Sequence, residues 1–190
     1  MRTTSIIAAV CFVTVMPITH AQDSRREQVR DQRDDRMTQR IEKEARHELV
    51  MLPYYGVFDN LAFRVEGDQV RLLGQVTRPT LKHDAEAAVR NIEGVRNVVN
   101  EIEVLPLSPN DDRIRRAAYR VIYGTTGLDR YGLQAVPPIH IIVKNGNVSL
   151  EGVVASEMDR NLAGIKAKGV RGAFAVTNNL RVEGKDTKYP

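Results

Sequence analysis

Side chains able to do chemistry are few and scattered in this chain. The histidines after residue 21 are His47, His83 and His140, which are distant in sequence and lack the spacing of metal ligands. The single cysteine, Cys11, excludes a disulfide framework within one chain and a cysteine-based zinc site. No serine lies in a Gly-x-Ser-x-Gly elbow, and no phosphate-binding loop or dinucleotide fingerprint occurs. The residues therefore predict no catalytic group, no metal site and no cofactor.

The basic residues are more informative, because they are concentrated in the second half. Residues 37–105 carry 9 basic and 11 acidic side chains, a net charge of −2, whereas residues 113–190 carry 13 and 6, a net charge of +7. The whole chain has a net charge of only +4, so nucleic acid is not an indicated partner. One basic stretch also carries tyrosines at helical spacing, a combination that suits an anionic membrane surface. Its candidate lipid-binding residues are Arg113, Arg115, Arg116, Tyr119, Arg120 and Tyr123.

That basic stretch also has a simpler interpretation. It is also consistent with a solvated helix face whose tyrosines lie partly in the core. Aromatic side chains before the strands could serve binding or could close the ends of the sheets; they are Tyr54, Tyr55, Phe58 and Tyr131.

The elements that must position these residues come from an internal duplication. Shifting the chain by 78 positions aligns residues 63–104 with residues 141–182 without a gap. Ten of the 42 aligned positions are identical, against roughly two or three expected by chance. The identical pairs include Gly74 and Gly152, Gly94 and Gly172, and Asn100 and Asn178.

Each copy begins its sheet with a predicted hairpin. Residues 61–65 and 70–72 alternate with a period of two, which is typical of half-buried strands, and the second copy is predicted to hold the same strand pair. Asn145-Gly146 is a strong two-residue hairpin signal, because both residues tolerate a positive φ. This turn predicts that Val143 lies across from Val148 on one face. Glycines are predicted to turn the chain at Gly74, Gly94, Gly146, Gly152 and Gly172.

Helical periodicity precedes and follows each hairpin. In the first copy Pro79 fits the first turn of the second helix, and in the second copy Ser156 is its predicted N-cap. Asn110 or Asp111 is predicted to cap the basic helix. The core stripes of the two leading helices are Met37, Ile41, Ala45, Leu49 and Leu52, and Ile114, Ala117, Ala118, Val121 and Ile122.

The predicted fold class is α+β, with two repeated αββαβ domains. A last strand is predicted over residues 98–104 and again over residues 176–182. Because a strand–helix–strand crossover runs its strands parallel, each domain should hold a three-stranded mixed sheet with two helices on one face.

The N-terminus predicts export. Arg2 precedes an apolar run too short to span a bilayer, and small residues at Thr19 and Ala21 fit a cleavage site. The predicted organisation is a signal peptide over 1–21, a charged segment over 22–36 that is disordered or extends the first helix, domain 1 over 37–105, a linker over 106–111, domain 2 over 112–183 and a tail over 184–190.

With this organisation the sequence resembles tandem BON domains, a family named for osmotically inducible periplasmic proteins and nodulation proteins. The resemblance covers about residues 37–183 and is carried by the duplicated unit, Gly74 and Gly152, and the pattern Gly94-Val95-x-x-Val98-x-Asn100. Ala173 replaces Val95 in the second copy. The resemblance implies a non-enzymatic periplasmic or envelope protein that binds phospholipid or the envelope surface, with lipid contact associated with the second unit.

Two functional hypotheses follow. The first is a module that binds anionic phospholipid through the basic second domain. The second is a periplasmic protein-interaction or holdase-like stress factor whose partners are envelope proteins.

Overall fold

The computed structural model describes residues 19–184, with side chains from residue 32 onward. Helix α1 (Thr19–Val50) begins the described chain. The part of it up to Arg36 belongs to one compact unit, and the described residues from Met37 onward form another. Because α1 includes residues 22–36, this segment is helical and extends the first helix, which is one of the two predicted alternatives. Residues 1–18 of the predicted signal peptide lie outside the described residues, so the signal peptide stays a prediction.

The first copy folds as a mixed sheet with helices on one face. The central strand pairs antiparallel with the first strand of its hairpin and parallel with the strands that follow the second helix. Its core joins Ile41, Ala45 and Leu49 of the first helix to Leu72 of the central strand. After α1 the elements are β1 (Asn60–Glu66), β2 (Gln69–Val76), α2 (Pro79–Arg90), β3 (Asn97–Asn100) and β4 (Glu103–Val104).

The second copy repeats this architecture around its own core. Val143 pairs with Val148 and Ile141 with Leu150, as the Asn145-Gly146 turn predicts. The connection between its first helix and its hairpin is longer than in the first copy and holds a short 3-10 helix (Asp129–Leu133). Its other elements are α3 (Pro109–Tyr123), β5 (Ile139–Lys144), β6 (Asn147–Val154), α4 (Glu157–Lys168), β7 (Ala175–Asn178) and β8 (Arg181–Val182).

The duplication is confirmed by the strand register. Val70 pairs with Val98 in the first copy, and Val148 pairs with Val176 in the second, so both partners shift by 78 residues. The bounds of α4 lie 78 residues after those of α2.

The last strand of each copy is not continuous, so the predictions over 98–104 and 176–182 are wrong in this detail. Asn100 causes the break in the first copy, because its side chain replaces backbone pairing. Its Nδ2 donates to the carbonyl of Lys82 on α2, and its Oδ1 accepts from the backbone N–H of Ile102. Asn178 makes the equivalent bonds in the second copy, which accounts for its recurrence.

Gly74 and Gly152, which are predicted to be turn glycines, lie inside the central strands instead. Their φ angles are +112° and +117°, a region that L side chains rarely adopt. A Cβ atom at either position would lie 2.0 Å from a backbone carbonyl oxygen, that of Asn60 or of Pro138. Only glycine therefore allows the hairpin partner to approach this closely. The remaining predicted turn glycines also have positive φ; they are Gly94, Gly146 and Gly172.

The helix caps partly follow prediction. Ser156 caps α4 by accepting from the backbone N–H of Asp159, and Pro79 occupies the first turn of α2. The predicted cap at Asn110 or Asp111 is wrong, because Ser108 accepts from the N–H of Asp111 and α3 begins at Pro109. The last residues of the predicted linker are thus helical.

Candidate functional site

The exposed face of α3 holds four of the six predicted binding residues, and three of these line one cleft. Arg116 and Arg120 are exposed, and Tyr119 between them is partly exposed. Neither guanidinium forms an ion pair within the described part of the chain. Because two unpaired cations flank one aromatic ring, this face can hold an anionic group against an apolar surface.

Arg115, by contrast, does not face solvent. It is only 5% exposed, its Nη1 pairs with Asp112 at 2.5 Å, and its Nη2 donates to the carbonyl of Val143 at 2.7 Å. The prediction that Arg115 belongs to an exposed cationic face needs correction: at helical spacing it falls on the side of α3 that packs on β5. Its guanidinium is paired inside the domain and is not available to a surface.

The other two predicted residues also have structural partners. Tyr123 is buried, and its hydroxyl donates to the carbonyl of Ile139 at 2.5 Å. Arg113 is exposed, and its Nη2 donates to Oδ1 of Asn110 at 2.9 Å. The ring of Tyr123 packs against the ring of Tyr119, at a centroid distance of 4.9 Å.

An open cleft of about 550 Å³ is lined by Arg116, Tyr119 and Arg120 together with two residues from the first copy. Phe58 meets the ring of Tyr119 edge to face at a centroid distance of 6.2 Å. Val57 completes the wall, and no acidic side chain is among the described residues that line the cleft. The cleft thus has an apolar surface that lies between two arginines.

A backbone hydrogen bond holds the segment that carries Val57 and Phe58 against the second copy. The carbonyl of Val57 accepts from the backbone N–H of Ile141 at 2.8 Å, so the segment covers the open edge of β5. We call residues 54–59 the clasp segment. Through it, both copies contribute to one cleft.

A buried histidine anchors the clasp segment. The ring of Tyr55 stacks on His140, with centroids 5.4 Å apart and an interplanar angle of 24°. Nδ1 of His140 lies 3.3 Å from the carbonyl oxygen of Gly56, and Nε2 lies 3.3 Å from the hydroxyl of Tyr55. A neutral imidazole that donates from Nδ1 and accepts at Nε2 satisfies both contacts. Burial lowers the pKa of His140 and raises the pKa of Tyr55 to about 12, so both groups stay neutral near pH 7.

A buried carboxylate fixes the other end of the clasp segment. Asp59 is 4% exposed, and its Oδ1 accepts from the backbone N–H of Thr77 at 2.6 Å and from the Thr77 hydroxyl at 2.8 Å. Its Oδ2 accepts from the backbone N–H of Gly56 at 3.3 Å. The segment is therefore tied to the end of β2 as well as to β5.

These contacts predict that the anchoring of the clasp segment by His140 becomes less stable as the pH falls. The folded pKa of His140 lies below its ordinary value of 6.5, so the unfolded chain binds more protons below about pH 6.5. The stabilisation is therefore complete above about pH 6.5 and is lost as the pH falls toward the folded pKa. We expect urea unfolding to show a free energy that decreases from about pH 7.5 to about pH 5.5 in the wild type.

The matched variant is His140→Phe, which keeps a ring against Tyr55 but cannot titrate. It should be less stable at neutral pH, because the hydroxyl of Tyr55 and the carbonyl of Gly56 lose a partner. Its free energy of unfolding should change less with pH than that of the wild type. Equal pH slopes for the two proteins would show that His140 does not control the clasp.

A second cavity, of about 310 Å³, has a different character. It is lined mainly by polar and charged side chains of both copies, including Glu103 and Lys144, which pair with each other. Because Lys144 is already paired with Glu103 and Glu151 adds another negative charge, this cavity suits an anion less well than the cleft on α3 does.

Sequence reasoning missed the clasp segment as a contact between the copies. Tyr55 and Phe58 carry an aromatic signal in a loop, but nothing in the pattern assigns them to the edge of β5. Strand alternation places His140 on the face of β5 opposite to Ile139 and Ile141, and the clasp segment buries it to 8% exposure.

Other classes of site are not supported within residues 19–184. No group of three or more His, Cys, Asp or Glu side chains there could hold a metal ion. None of the helices described there combines the length and apolar character needed to cross a bilayer.

Comparison with known proteins gives a family match over both copies. A family model described as the BON domain matches residues 38–106 and 125–184. No curated protein matches. Two solved structures of CdsD, a structural protein of the type III secretion system of Chlamydia trachomatis, are similar at 12% identity. The first covers 78% of this chain and 98% of its own with a TM-score of 0.28; the second, the C-terminal domain, covers 74% and 96% with a TM-score of 0.26.

Proposed function

The chain belongs to the BON-domain family, and from that premise we propose that it is an exported envelope protein that binds anionic phospholipid through α3. Membership points to an envelope-associated protein of a family that is generally non-catalytic. The observation that carries the more specific proposal is the cleft on α3, where Arg116 and Arg120 flank Tyr119 and Phe58.

The chemistry of this cleft favours a lipid head group at a membrane surface. Each exposed cation near an anionic bilayer contributes about 1 kcal/mol of attraction, and interfacial aromatic rings favour the head-group layer. The cleft is open rather than enclosed, which suits a surface better than a small soluble ligand. The net charge of +7 over residues 113–190 orients the second copy toward that surface.

Co-sedimentation with vesicles tests the proposal. The full chain should bind vesicles that contain phosphatidylglycerol and should not bind vesicles of phosphatidylcholine alone. Added salt should weaken binding, because screening shortens the range of attraction to about 10 Å at 0.1 M ionic strength. If the protein ignores phosphatidylglycerol vesicles at low salt, the proposal fails and the protein-interaction hypothesis takes its place.

A further inference from the structure

Helix α4 is apolar on two faces, although its fold requires only one. Its inner face packs Ala163 and Ala167 into the core of the second copy. On its outer face Met158 is 77% exposed and Ile165 is 66% exposed. Leu162 lies between them and is partly buried, so the three residues form one stripe at positions i, i+4 and i+7. A contiguous exposed apolar stripe on a soluble domain marks a contact surface.

The first copy supplies an internal comparison. Thr80, Asp84 and Ala87 occupy the positions 78 residues before Met158, Leu162 and Ile165. Because α2 and α4 have the same bounds relative to their strands, the fold accepts small or polar residues on this face. The stripe is therefore a property of the second copy and not a requirement of the architecture.

Charge around the stripe identifies its partner. Lys166, Lys168 and Arg171 form no ion pair within the described part of the chain, whereas Arg160 pairs with Glu157 at 3.7 Å. Stripe-to-stripe pairing of two copies of this protein would bring these like charges together, which is unfavourable. An anionic surface with an apolar interior satisfies both the cations and the apolar side chains.

The helix that carries the stripe is also a neighbour of α3. Helices α3 and α4 pack side by side, and the Cβ position of Gly172 after α4 lies 3.2 Å from Nη2 of Arg113. We infer that α4 is the insertion surface of the second copy: Met158 and Ile165 enter the acyl boundary of an anionic bilayer. This inference rests on the proposed function, since the arginines of α3 first bring helices α3 and α4 to the head groups.

A single tryptophan reports insertion directly. The chain has no tryptophan, so Ile165→Trp places the only indole of the full chain on the stripe. On phosphatidylglycerol vesicles its emission should shift to the blue and should be quenched by brominated acyl chains. The matched control is Leu107→Trp, at a residue of the linker that is 96% exposed, and it should show neither effect.

A loss-of-function pair completes the test. Met158→Thr with Ile165→Ala installs the residues of the first copy, and both sites are exposed, so folding should survive. We expect about a tenfold weaker partition onto phosphatidylglycerol vesicles with an unchanged response to salt. Leu107→Thr should bind as the wild type does.

Each other outcome overturns the insertion. Binding without a blue shift of the Ile165→Trp variant would leave the proposed function intact and refute insertion. A blue shift without lipid that grows with protein concentration would assign the stripe to a second copy of the chain. Absence of any binding by the wild type would refute both proposals.

Discussion

Replacing Arg116 and Arg120 by glutamate is expected to weaken binding to phosphatidylglycerol vesicles by on the order of a hundredfold or more. Each cation near the surface contributes about 1 kcal/mol, and reversal adds repulsion to the lost attraction. Both side chains are exposed, so the fold should tolerate the change. Vesicle co-sedimentation at low salt measures the loss, and circular dichroism checks the fold. Arg115 must be left intact, because it is buried against Val143 and its reversal would disrupt the domain.

The control for this variant carries the same substitutions on the first copy. Arg90 and Arg96 are exposed and pair with Glu86 and Asp68 at the surface, where such pairs contribute little stability. Their joint replacement by glutamate changes the net charge of the protein equally. It should reduce binding much less than the α3 variant. Equal losses would mean that total charge, and not the cleft on α3, drives binding.

Replacing Gly74 or Gly152 by alanine is expected to cost about 3 kcal/mol or more of unfolding free energy. A Cβ atom at either site would lie 2.0 Å from a backbone carbonyl oxygen, and the positive φ adds strain. A flexible side chain could move aside, but the opposing backbone is held by the antiparallel pairing of the hairpin. Urea unfolding followed by circular dichroism measures the loss.

Gly56→Ala is the appropriate comparison for these two variants. Its Cβ position has no heavy atom within 4 Å, and its φ is not positive. This variant should stay close to the wild type in stability. Similar losses in all three variants would show that glycine is not specially required in the central strands.

The duplicated core could be predicted from the sequence because it depends on local patterns. Strand alternation, the Asn145-Gly146 turn and the offset of 78 residues together specify the hairpin register that the structure shows. The break in the last strands escaped this reasoning. It depends on Asn100 and Asn178, whose side chains replace backbone bonds and bind a neighbouring helix. Side-chain hydrogen bonds of this kind leave no trace in the spacing of apolar residues.

The candidate site was only half predictable for a related reason. Charge clustering located α3, but exposure of each arginine depends on how the helix is rotated against β5, which buries Arg115 and leaves Arg116 and Arg120 free of that strand. Phe58 and Val57 reach the cleft through the bond between the Val57 carbonyl and Ile141. That contact joins residues distant in sequence, and no local pattern encodes it.

Paramagnetic broadening of amide NMR signals by spin-labelled phosphatidylglycerol nanodiscs tests the central claim most directly. The proposed function predicts that broadening centres on Phe58, Arg116, Tyr119 and Arg120 and is weak along α2 of the first copy. Broadening centred on α2, or spread evenly over both copies, would contradict it.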